Sequence, residues 1–143
     1  MNGINLLLVE DNEGDIFITL EAFEESTIIS NVVVKTDGAL AINYFKETKN
    51  GCDLPNLVLL DINLPKMSGH EVLKFLKQHD EFKSIPVIMF TTSSSKDDIR
   101  KAYQNDVNCF ITKPMDSADY LKALNKVEDF WLNIASIPTG NKY

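Results

Sequence analysis

Hydrophobic residues concentrate in five short runs rich in branched side chains: Ile4 to Val9, Ile28 to Val34, Leu57 to Leu60, Val87 to Phe90 and Cys109 to Thr112. Several runs are continuous rather than alternating, the pattern of strands covered on both faces. Between them, apolar residues recur at helical spacing. Residues 13–26 bring Ile16, Leu20 and Phe23 to one face, and residues 38–49 bring Ala41, Tyr44 and Phe45 together. Residues 69–79 align Val72, Leu73 and Leu76 behind Ser68 and Glu71, the spacing of a capping box. Residues 96–105 offer Ile99, Ala102 and Tyr103 after a cap at Ser95. Residues 117–135 form the longest predicted helix, capped by Asp116 or Ser117. Strand and helix thus alternate five times. That predicts the α/β class: a doubly wound, five-stranded parallel sheet with right-handed crossovers and helices on both faces.

In such a sheet, chemistry collects beyond the carboxyl ends of the strands, where the strand order reverses. The first run ends in Glu10-Asp11-Asn12, the third in Asp61-Ile62-Asn63-Leu64-Pro65, the fourth in Thr91-Thr92-Ser93 and the fifth in Thr112-Lys113-Pro114. The second, ending in Lys35-Thr36-Asp37, delivers little. A strand order of 2-1-3-4-5 makes the other four neighbours, and their ends converge on one patch. Taken singly, each of these residues has an ordinary explanation as a turn former, cap or solvated charge. Four chemically complementary strand ends at once are harder to explain that way. Glu10, Asp11 and Asp61 crowd three negative charges against the single ammonium of Lys113, so one carboxyl would take up a proton unless a cation intervenes. Mg²⁺ suits such a site, because it prefers oxygen ligands and is commonly held by one or two carboxylates plus a phosphoryl oxygen. A carboxylate nucleophile in line with phosphorus, with a hydroxyl and an ammonium to receive its oxygens, would complete a phosphoryl-transfer centre.

Composition narrows the function classes. The chain has 143 residues and a net charge of −7, with no segment long and apolar enough to read as a membrane span. Such an acidic chain is a poor partner for nucleic acid or anionic membranes, whose binding needs clustered Lys and Arg. Cys52 and Cys109 form no metal-binding spacing and read as free thiols. No basic leader precedes Ile4, so the expected location is the cytoplasm. Residues 1–135 read as one domain and 136–143, with Pro138 and Gly140, as a tail.

The segments Val9-Glu10-Asp11-Asn12, Leu59-Leu60-Asp61-Ile62-Asn63-Leu64-Pro65-Lys66-Met67-Ser68-Gly69, Phe90-Thr91-Thr92-Ser93 and Phe110-Ile111-Thr112-Lys113-Pro114 resemble the receiver domain of two-component response regulators. The likeness covers roughly residues 4–132 and is strongest to the stand-alone, chemotaxis-regulator type. It implies a flavodoxin-like (βα)5 sandwich with Asp61 as phosphoacceptor. The metal, Mg²⁺ with Mn²⁺ as a substitute, would be bound by Asp11, Asp61 and the backbone carbonyl of Asn63, with Glu10 reaching it through water. Thr91 would be the hydroxyl that closes on the phosphoryl group, Lys113 its cationic partner, and Phe110 the aromatic switch. A cis Lys113–Pro114 bond is implied, and Gly69 matches the turn glycine. The run Val127-Glu128-Asp129-Phe130-Trp131-Leu132 is similar to regulators partnered with bacterial phytochrome kinases.

Competing chemistries fit less well. A haloacid-dehalogenase-type phosphotransferase needs a second Asp where Asn63 stands, and a flavin carrier would not place Glu10-Asp11-Asn12-Glu13 against a phosphate. A phosphorylation-independent module usually loses one of the acids, the acceptor or the lysine, and this chain keeps all of them. The expected function is therefore a switch, not a turnover enzyme. A histidine kinase or histidine phosphotransfer protein donates to Asp61, and the output is a protein contact or a relay to a partner of unknown identity. Asn63 and Ser93, two residues past Asp61 and Thr91, are expected to tune the phosphoryl lifetime. In the last helix, Leu121, Leu124, Trp131 and Ile134 suffice to pack on the sheet. A second stripe, Tyr120, Ala123, Val127 and Phe130, then reads as a homodimer contact.

Overall fold

The structure, a computed structural model, describes residues 3–48 and 54–138. Five parallel strands, β1 (Ile4–Val9), β2 (Ile29–Lys35), β3 (Leu57–Leu60), β4 (Val87–Thr91) and β5 (Cys109–Thr112), lie in the order β2-β1-β3-β4-β5. Helices α1 (Glu13–Phe23), α2 (Gly38–Thr48), α3 (Gly69–Gln78), α4 (Lys96–Gln104) and α5 (Ser117–Glu128) connect and cover them. This is the expected flavodoxin-like sandwich. Cys52, the residues 49–53 of the turn-rich connection and residues 139–143 of the tail lie outside the described residues. Cys109 is a free thiol.

The continuous apolar runs are explained by burial on both faces of the sheet. Leu7, Val9, Val58, Leu60, Val87 and Met89 face Ala41, Phe45, Val72, Leu73, Leu76 and Ala102 of α2, α3 and α4. Leu6, Leu8, Leu57, Leu59, Ile88 and Phe90 face Phe23, Tyr120, Leu124 and Val127 of α1 and α5. Alternate strand residues feed opposite cores, as the period of two requires. The capping box of Ser68 and Glu71 is formed, and Asn12, Ser95 and Asp116 cap α1, α4 and α5. Asp106, just past α4, has φ 67°, a left-handed conformation that glycine adopts most readily and Asp tolerates.

Two expectations change here. No cis peptide occurs among the described residues, so Lys113–Pro114 is trans. Trans is the default for X–Pro by about 0.5–1 kcal/mol, and Lys113 reaches its carboxylate partners in that form. The last helix also differs. It is α-helical only to Glu128, and Asp129–Ile134 continue as a π-helix, with Ala135 N–H donating to the Phe130 carbonyl at 2.7 Å. The two stripes predicted for this helix are largely exchanged. Tyr120 and Val127 are buried in the core beside Leu124, and Tyr120 stands edge-on to Phe90. Leu121 and Ile134 are exposed, as is Phe130. Tyr120, Leu124 and Val127 lie at i, i+4 and i+7 of the α-helical part, so the inward stripe is set before the π-helix begins. From Asp129 on, a π turn advances more residues per revolution than an α turn, and a 3.6-residue period no longer places positions such as Ile134. Tyr120 and Val127 are therefore core residues, and of the proposed contact residues only Phe130 remains at the surface.

Candidate functional site

The parallel registers bring four strand ends level. β1 pairs with β3 through Val9 and Leu60, and β4 with β5 through Thr91 and Thr112. Beyond these pairs the backbone stays fixed for one more residue. Glu10 N–H donates to the Lys35 carbonyl, Asp61 N–H to Val9, and Lys113 N–H to Thr91 at 2.6 Å. Glu10, Asp61 and Lys113 therefore leave the sheet in register. Gly69 closes the loop after Asp61. Its N–H donates to the Ile62 carbonyl at 2.8 Å, and a Cβ there would collide with the Asp61 carbonyl oxygen. The glycine is required because backbone approaches backbone at this point.

The centre holds one ammonium among carboxylates. Lys113 Nζ donates to Glu10 Oε1 at 2.5 Å, Asp15 Oδ2 at 2.7 Å and Asp61 Oδ2 at 3.2 Å. The side chains of Lys113 and Glu10 are only 3% and 4% exposed, that of Asp61 8% and that of Asp15 23%. Burial pushes the Glu10 carboxyl up to about 7, and repulsion from Asp61 adds to it, against the hydrogen bond from Lys113. Burial by itself would lower the Lys113 pKa. Its hydrogen bonds to Asp15 and Glu10 and the nearby Asp61 charge outweigh that, and the ammonium is raised above its ordinary value. Burial therefore dominates at Glu10 and the surrounding carboxylates dominate at Lys113, in a site that carries more negative charge than one buried cation balances.

Carboxylate oxygens of Glu10, Asp11 and Asp61 lie within 4.8 Å of one another, and Asp11 is exposed at the mouth of the site. Hard oxygen donors, an open side and surplus negative charge fit a hydrated divalent cation. Thr91 is fully buried, and its hydroxyl accepts a long 3.4 Å bond from Ser93 N–H. Asn63 is exposed, with its N–H 3.4 Å from Asp61 Oδ1. Phe110 is half-buried and packs against the core on the α2–α4 side.

The sequence reading missed two features. Asp15 belongs to the charge cluster, although it lies in the first turn of α1 rather than at a strand end. His70, buried in the first turn of α3, places Nε2 2.9 Å from Asp98 Oδ1 at the start of α4. Asp98 also accepts from the Ser93 hydroxyl at 2.6 Å. These two bonds, the Ser93 bond foremost, hold the Asp98 carboxyl below its ordinary value. Ser93 thus turns its hydroxyl toward α4.

Known proteins share this fold. The family model described as "Response regulator receiver domain" matches residues 6–125. Response regulator Rcp1 of Synechocystis sp. is 38% identical over 137 residues, covering 94% of this chain and 93% of its own length. The crystal structure of its Mn²⁺-bound form superimposes with a TM-score of 0.89, covering 94% of this chain and 99% of that one. The phosphorylated cyanobacterial phytochrome response regulator RcpA gives a TM-score of 0.91 at 38% identity, covering 96% and 99% of the two chains. Fold, converging strand ends and relatives lead to one conclusion: the chain belongs to the response regulator receiver domain family, whose members signal by phosphorylation on an aspartate.

Proposed function

We propose that Asp61 is the phosphoacceptor, and that the chain passes its signal on by a phosphorylation-dependent protein contact or by relay. The observation that carries this reading is the difference between the two buried carboxylates. Glu10 has both oxygens engaged, Oε1 by Lys113 at 2.5 Å and Oε2 by Asn12 N–H at 3.1 Å. Asp61 is held by two longer contacts, at 3.2 and 3.4 Å, so its lone pairs are the more available to attack. An Asp61 oxygen forms the new bond to phosphorus as the bond from phosphorus to the donor breaks. The electron pair leaves on the donor's imidazole nitrogen or, for acetyl phosphate, on acetate oxygen. Lys113 neutralises one phosphoryl oxygen and the Thr91 hydroxyl donates to another. Mg²⁺ or Mn²⁺ held by Asp11, Asp61 and the Asn63 carbonyl, with Glu10 beside it, would supply the remaining positive charge. As Thr91 closes, Phe110 turns inward, a change that a structure with beryllofluoride would reveal in both side chains.

The donor is a histidine kinase or histidine phosphotransfer protein, and the likeness to RcpA supports a kinase of the phytochrome class. No helix among the described residues is long and apolar enough to cross a membrane. In this reading donor and receiver meet in the cytoplasm. With acetyl phosphate and Mg²⁺ the protein gains one phosphoryl group by intact mass, and excess EDTA reduces the gain to background. Uptake unchanged by EDTA would remove the metal from the reading. Decay after donor removal reports the lifetime, for which Asn63, exposed beside Asp61, carries more weight than Ser93, whose hydroxyl is held by Asp98.

Support for self-association through the last helix has narrowed to Phe130, with the exposed Leu121 and Ile134 on the same segment. Exposed apolar side chains along one segment suit a two-fold contact. Phe130→Asp is expected to shift sedimentation from dimer to monomer while phosphorylation persists. A wild-type protein that is monomeric with and without beryllofluoride contradicts this.

A further inference from the structure

We propose that Asp15 is a positioning residue: it holds Lys113 while Asp61 is unmodified and gives it up when the phosphoryl group arrives, so that it sets how readily the site accepts its anion. The inference rests on Asp61 being the acceptor. Lysine has three N–H donors and no more, and all three are engaged, by Glu10, Asp15 and Asp61. For Lys113 to donate to a phosphoryl oxygen, one of these partners has to be released. Glu10 is the wrong one, since freeing it would strand a charge that is 4% exposed. Asp61 is phosphorylated on one oxygen only, and its other oxygen, now a carbonyl, still accepts from Lys113. Asp15 is the most exposed of the three at 23%, so water takes over its carboxylate at the least cost.

The local sequence builds this arm. Asn12 caps α1 by accepting from Asp15 N–H at 2.9 Å, which fixes the first turn. Helical side chains lean toward the N-terminus, and here that direction leads to the strand ends. The Thr19 hydroxyl donates to the Asp15 carbonyl at 2.8 Å, one turn further on. Glu10, Asn12 and Asp15 thus act as one unit, in which a strand-end acid and a helix acid share the ammonium supplied by β5.

The test compares the full-length wild type with Asp15→Asn, Asp15→Ala and the control Glu13→Gln. Glu13 is an exposed acid in the same turn, and its variant removes one charge without touching Lys113. Both Asp15 variants are expected to take up phosphoryl from acetyl phosphate, and to bind beryllofluoride, about three- to fivefold more readily, the upper part of the range a partly shielded ion pair supplies. Glu13→Gln is expected to stay within about twofold of wild type, as a screened surface charge does. The Lys113 ammonium protons, followed by ¹⁵N-edited NMR, should exchange faster once Asp15 is replaced. Asp15 variants that match the control, or that react more slowly than wild type, overturn the proposal while leaving Asp61 as acceptor. A wild type that takes up no phosphoryl group overturns the acceptor reading and this inference together.

Discussion

Lys113→Ala is expected to lower the unfolding free energy by about 3–5 kcal/mol in metal-free buffer, the range for removing one partner of a buried ion pair. The truncation leaves Glu10 and Asp61 facing each other across a buried space with Asp15 close by, and no cation among them. Millimolar Mg²⁺ should then stabilise the variant more than the wild type, since the ion meets more uncompensated charge and no competing ammonium. Urea unfolding with and without Mg²⁺ measures both effects. A variant as stable as wild type without metal would show that the carboxylates do not depend on Lys113.

Asp61→Asn is expected to act in opposite directions on function and stability. Phosphoryl uptake from acetyl phosphate should fall by more than about 100-fold, since an amide cannot replace the carboxylate nucleophile. Metal-free stability should rise, by about 1 kcal/mol, because a charge that repels Glu10 is gone. Lys113 keeps Glu10 and Asp15 as partners in this variant. Intact mass and urea unfolding read the two effects separately. A variant that loses uptake and is also destabilised would mean that Asp61 contributes to folding more than it strains the site.

The strand ends were legible because the continuous runs are short, rich in branched residues and bounded by polar turn residues, which favours covered strands over buried helix, and a fixed strand order then says which ends meet. Glu10, Asp61, Thr91 and Lys113 emerge that way. Asp15 does not, because it reaches the same point from a helix. The available signal was Asn12 three residues before it, a cap that orients the first turn. The pairing of His70 with Asp98 joins the starts of two helices across 28 residues, and no local pattern announces it. Tyr120 and Val127 complete the core beside Leu124, because both candidate stripes of α5 have helical spacing and the period alone does not say which one meets the sheet. The π-helix over Asp129–Ile134 is likewise invisible to a helical period. The cis Lys113–Pro114 bond was implied by resemblance alone, with nothing in the local residues to demand it.

The most direct test of Asp61 as acceptor is to locate the phosphoryl group. The protein is treated with acetyl phosphate and Mg²⁺, the acyl phosphate is trapped by borohydride reduction, and the modified peptide is sequenced by mass spectrometry. The predicted result is a single reduced residue at position 61. Modification at Glu10, Asp11 or Asp15 with position 61 intact would contradict it.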